Sequence, residues 1–100
     1  MFMLTTRVLL ELELLKRHLM VLKKVIDDGP IGIMKLSLET GIPGHRVRYS
    51  LRVLEQQGLI APSKHGAVAT KSAQKACSDF KDELEKIGEM TADIKSIGLG

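Results

Sequence analysis

Gly41-Ile42-Pro43-Gly44-His45-Arg46-Val47-Arg48-Tyr49-Ser50-Leu51-Arg52-Val53-Leu54-Glu55-Gln56-Gln57-Gly58-Leu59-Ile60 holds the most informative pattern in the chain. Gly41 breaks any helix that precedes it, and Pro43 pushes Ile42 toward an extended conformation. From Gly44 to Gln57 the period is helical: Val47, Leu51 and Leu54 recur at i, i+4 and i+7 with the small Ser50 alongside, and Gly58 ends the run. The residues facing away from that stripe are His45, Arg46, Arg48, Tyr49 and Arg52. No acid accompanies them before Glu55.

Outward from this helix, the flanks alternate in type. Ile33 to Thr40 reads as a short helix after an extended Pro30-Ile31-Gly32. On the other side, Leu59-Ile60-Ala61 and Ala67-Val68-Ala69 read as two short strands joined by the turn-forming Pro62-Ser63-Lys64-His65-Gly66. A long first helix is predicted from a Thr5-Thr6 cap to Asp27 or Asp28, stopped by Gly29-Pro30. Its main stripe is Val8, Leu12, Leu15, Leu19, Leu22 and Ile26, and Leu9, Leu10, Leu14, Met20, Val21 and Val25 extend the apolar surface beyond it. So wide a surface needs more than one packing partner. Thr70 is predicted to cap a last helix to about Ile97, in which Ala73, Cys77, Phe80, Leu84, Ile87, Thr91 and Ile94 alternate spacings of four and three. Gly88 weakens that helix without ending it.

Composition bounds the function. One hundred residues make a single domain with one modest core, and 3% aromatics with no Trp make that core aliphatic. Acids and bases interrupt the apolar N-terminal residues, so no membrane span is expected, and no secretory leader is recognisable. With a lone Cys77 unable to form an internal disulfide, the expected location is cytoplasmic. His18, His45 and His65 fall on separate elements at no metal-ligand spacing, and no phosphate-binding glycine loop is present. Neither a catalytic set, a metal nor a cofactor is expected. Cys77 reads better as a small buried hydrophobe than as a redox sensor. The five methionines, Met1, Met3, Met20, Met34 and Met90, read as core and interface filler.

The net charge of +3 is unevenly placed. Residues 41–75 hold six Lys/Arg against Glu55 alone, whereas residues 76–100 hold three basic and six acidic residues. A basic middle between neutral and acidic flanks suits a polyanion-binding face, with a merely solvated face as the competing reading.

Residues 30–71 resemble the winged helix-turn-helix of prokaryotic transcriptional regulators. The match runs through Pro30-Ile31, Leu36-Ser37, Gly41-Ile42-Pro43 and the inward Val47, Leu51 and Leu54. It ends in Glu55-Gln56-Gln57-Gly58-Leu59-Ile60, its most specific part, and Ala69-Thr70-Lys71. The implied fold is mainly α with a small β-hairpin, a winged helix-turn-helix with long N- and C-terminal helices. Residues 1–29 would form the first helix, 30–70 the helix-turn-helix and short wing, and 71–100 a dimerisation helix. The resemblance implies double-stranded DNA as partner, contacted by Gly44, His45, Arg46, Arg48, Tyr49 and Arg52, with Lys64 and His65 at the wing tip. Two departures stand out: the wing is short with small Ala67 and Ala69, and Thr40 replaces a large apolar residue.

The apolar stripes of the terminal helices exceed what a compact domain buries, so a homodimer is expected, paired through Leu12, Phe80, Leu84, Ile87 and Ile94. A two-fold dimer would set its recognition helices about 34 Å apart, matching successive major grooves. The alternatives are a last helix folded back on its own domain and a winged-helix domain used for protein–protein contact without DNA.

Overall fold

The chain is described over residues 3–100 by a computed structural model; Met1 lies outside this range. Among the described residues, four helices and one hairpin follow in order: α1 (Met3–Asp28), α2 (Ile33–Thr40), α3 (Gly44–Gln56), β1 (Ile60–Ser63), β2 (Gly66–Ala69) and α4 (Ser72–Lys95). The architecture is mainly helical with a small two-stranded antiparallel sheet, as the sequence pattern predicts. No helix among the described residues is long and apolar enough to cross a membrane.

The core forms where α1, α2, α3 and the hairpin meet. Val21, Leu22, Val25, Ile31, Leu36, Val47, Leu54, Leu59 and Ile60 are buried there. Val21 and Val25 thus sit at the centre of the core, although the sequence pattern left them outside the α1 stripe. The reason is that α1 serves two partners on different sides. Its Val21–Val25 side meets α2 and α3, while Leu19 and Ile26 turn into a seam with Cys77 and Phe80 of α4. The early stripe residue Val8 is 54% exposed and belongs to neither. Thr5 and Thr6 lie inside α1, which begins ahead of them, rather than capping it.

Between α1 and α2, Ile31 lies extended against β2. Its N–H donates to the Ala67 carbonyl (3.1 Å) and its carbonyl accepts from the Ala67 N–H (2.9 Å). Ala67 therefore pairs on both sides, with Pro62 across β1 and with Ile31. Pro62 is tolerated because β1 is an edge strand. β1 is shifted from its predicted span, with Leu59 outside it and Pro62 and Ser63 inside, whereas β2 holds all of Ala67-Val68-Ala69 and adds Gly66, so only Lys64-His65 remain as the turn. The Ser63 hydroxyl donates to the Gly66 carbonyl (2.6 Å), closing that turn tightly.

α2 ends at Gly41, which takes the left-handed conformation (φ 75°) that glycine adopts most readily. Thr40, where a large apolar residue was expected, has a polar task at this turn. Its hydroxyl donates to the Leu36 carbonyl (2.6 Å) and accepts from the Ile42 N–H (3.2 Å), while the Ser37 hydroxyl donates to the Ile42 carbonyl (2.6 Å). Two hydroxyls thus fasten the α2–α3 turn from inside.

Thr70 does not cap α4. Its hydroxyl donates to the Gly58 carbonyl (2.7 Å) and its N–H to the Leu59 carbonyl (3.0 Å), tying the base of the hairpin to the end of α3. α4 starts from Lys71 without a side-chain cap and ends at Lys95, short of the predicted Ile97. Ala73 is buried and Ala76, Cys77 and Phe80 are half-buried against the core, so the first half of α4 does fold back on its own chain. Beyond Leu84, only Ile87 is half-buried. The distal half of α4 and the first turns of α1 project from the body, giving dimensions of 55 × 29 × 21 Å. The radius of gyration is 15.9 Å, against about 13 Å for a compact domain of 100 residues. The described methionines are not core residues: Met3, Met34 and Met90 are 60–88% exposed and Met20 41%.

Candidate nucleic-acid interface

α3 has a different neighbour on each side. Ser50, fully buried, bonds through its hydroxyl to Nδ1 of His18 on α1 (2.7 Å). Leu51 and Glu55 look toward the hairpin and the start of α2, sharing a shallow pocket with Ile31, Ile60 and Ala67. The remaining arc faces outward. At about 100° per residue, Arg48, Arg52, His45, Gln56 and Tyr49 fall within a sector of roughly 100°. All five are exposed. Gln56 carries no charge, and a sequence reading guided by arginines passed over it.

Tyr49 forms the α1-side edge of this arc, and Arg46 lies beyond it by about 60°. Arg46 lines a groove with Gly41, Ile42, Pro43 and the middle of α1. The Tyr49 ring packs against α1, 5.8 Å from the His18 ring and 5.9 Å beneath the Arg17 guanidinium, and remains 44% exposed. Arg17 is the residue sequence reasoning missed. Nothing in its local pattern marks it, because its significance comes from an α3 residue 32 positions away.

Electrostatically the face is open. Five ion pairs form among the described residues, Lys23–Asp27, Lys24–Asp28, Lys24–Glu39, Lys35–Glu39 and Lys86–Glu83. None involves Arg46, Arg48 or Arg52, so their donors are uncommitted. Asp27 and Asp28 of α1 and Glu39 of α2 are matched at the opposite end by Lys23, Lys24 and Lys35, whereas Glu11 and Glu13 lie on the Arg46 side. His18 is held neutral more firmly than an ordinary histidine: burial lowers its pKa first, and the neighbouring Arg17 charge lowers it further.

Gly44 starts α3 half-buried, close to Ile33. Lys64 and His65 form the exposed two-residue tip of the hairpin. Of the residues expected at a dimer interface, Leu12 and Ile87 are half-buried, Leu84 is 40% and Ile94 51% exposed. Phe80 is half-buried and already engaged with its own chain's core. No group of three or more His, Cys, Asp or Glu among the described residues is placed to hold a metal ion. Comparison with known proteins finds no family model that matches this chain and no curated protein that matches it.

Proposed function

We propose that this chain is a winged helix-turn-helix protein that binds double-stranded DNA as a homodimer and regulates transcription in the cytoplasm. The observation that carries the reading is the outward arc of α3, where Arg48, Arg52 and His45 stand exposed, close together and without carboxylate partners among the described residues. An α-helix fits the major groove, and arginine donates two parallel hydrogen bonds to a guanine edge or a phosphate. α2 and the Gly41–Pro43 turn support the reading helix at a fixed angle, the role of the first helix in such motifs. Lys64 and His65 then reach the flanking backbone, with a small share of the binding because the tip is only two residues long.

Dimerisation is supported by the projecting helix ends. Val8, Leu9, Leu10, Met90 and Ile94 are each 51–60% exposed on arms that the body does not cover. Pairing these arms about a two-fold axis removes their apolar surface from water and fixes the separation of two α3 helices.

The test is fluorescence anisotropy on random-sequence duplex DNA as salt is raised, with light scattering on the same samples. Wild type should bind at low salt, lose affinity steeply as salt rises, and scatter as a dimer at micromolar concentration; Arg48→Glu should bind far more weakly. The competing reading, a protein-contact module, is favoured by Met34 and Leu38, 88% and 84% exposed on α2. Absence of wild-type binding at low salt would select it, and a monomeric mass would remove the dimer.

A further inference from the structure

The groove beside the start of α3 has a volume of about 580 Å3. Two arginines from different elements line it, Arg17 from α1 and Arg46 from α3. Neither forms an ion pair among the described residues, although Glu13 stands one helical turn from Arg17 on the same wall. The Nε of Arg17 is buried without a hydrogen-bond acceptor, an unusual state for a charged donor. Its guanidinium lies over the Tyr49 ring at the edge of the outward arc. On the same groove, Pro43 precedes α3 and gives it no side-chain cap; its carbonyl takes the Arg46 and Val47 N–H groups, which leaves those of Gly44 and His45 without a side-chain acceptor.

We propose that Arg17 and Arg46 form a clamp for one DNA backbone phosphate at the edge of the reading helix. This rests on the DNA-binding reading above and makes Arg17, on α1, a direct DNA contact. A phosphate in the groove supplies the counter-ion that both guanidinium groups lack, and the positive end of α3 favours the same charge. Tyr49 acts as a positioning residue, since its ring supports Arg17 from below. Glu11 and Glu13 line the same groove and oppose the anion, and Lys16 offsets one of them, so each carboxylate weakens the contact. Because His18 follows Arg17 and bonds to Ser50, the clamp also ties the angle of the α1 arm to that of α3.

The experiment measures duplex affinity across a salt series for wild type, Arg17→Gln and Glu13→Gln. Lys81→Gln and Glu89→Gln, on α4, control for the same changes in net charge. Arg17→Gln should weaken binding about tenfold at low salt and reduce the slope of log affinity against log salt by about one. Glu13→Gln should bind several-fold more tightly than Glu89→Gln, and Lys81→Gln should follow wild type. A weakened Arg17→Gln with an unchanged slope would reduce Arg17 to a support for Tyr49 and overturn the clamp. An Arg17→Gln indistinguishable from Lys81→Gln overturns it too, leaving DNA binding intact, whereas a wild type that does not bind overturns both. Should Arg17→Gln fail to fold, Glu13→Gln decides alone, and equality with Glu89→Gln overturns the clamp.

Discussion

Replacing Gly66 by alanine should loosen the hairpin from the rest of the domain. Gly66 has φ 122°, and a Cβ placed there would lie 2.5 Å from the carbonyl carbon of Ile31, 2.6 Å from its oxygen and 2.8 Å from the Gly32 nitrogen. All three are backbone atoms of the segment that bridges to Ala67, so no flexible side chain can move aside. The backbone conformation itself costs a non-glycine residue about 1–3 kcal/mol. Displacing Ile31 also sacrifices its two hydrogen bonds with Ala67, worth about 1 kcal/mol each. The expected loss is therefore about 3–5 kcal/mol, a large part of the 5–15 kcal/mol or so that holds a typical domain together. In a thermal melt it lowers the midpoint by more than about 10 °C. Gly32→Ala is the matched control, since Gly32 has φ −91° and nothing within 4 Å of the added Cβ. It should change stability by less than about 1 kcal/mol. Urea unfolding followed by circular dichroism measures both. A Gly66→Ala loss below about 1 kcal/mol, or an equal loss in Gly32→Ala, would refute the account of the Ile31 bridge.

Two further outcomes follow from single positions. Gly88 lies inside α4 with open space where an alanine methyl would sit, so Gly88→Ala should raise stability by up to about 1 kcal/mol, read as a higher urea midpoint. His18 has a folded pKa below 6.5, from burial first and Arg17 second; the unfolded chain therefore binds the proton more readily, and stability falls as pH drops below about 6.5. Urea midpoints at pH 7.5 and 5.0 should separate more for wild type than for His18→Gln, and equal separation would remove His18 as the cause.

Much of the architecture is legible in local chemistry. Gly29-Pro30, Gly41 and Gly58 punctuate the helices where they do because a glycine or proline changes the backbone whatever surrounds it. The helical period of Val47, Leu51 and Leu54 places His45, Arg48 and Arg52 outward on α3 by geometry alone. The core side of α1 was not legible, because its apolar residues cover more than one face. Only the arrival of α2 and α3 on one side and α4 on another separates Val21 and Val25 from Leu19 and Ile26. Thr70 likewise has the local form of a helix cap, but a carbonyl at Gly58 competes for its hydroxyl.

What the sequence determined by itself is the order and type of the elements and the basic arc of α3, since periodicity and charge are properties of the chain. What only the tertiary structure decided is which side chains meet: Arg17 over Tyr49, His18 on Ser50, Ile31 beside Ala67. Each pair is separated by more than thirty residues, and contacts between distant segments arise from packing, which no local pattern encodes.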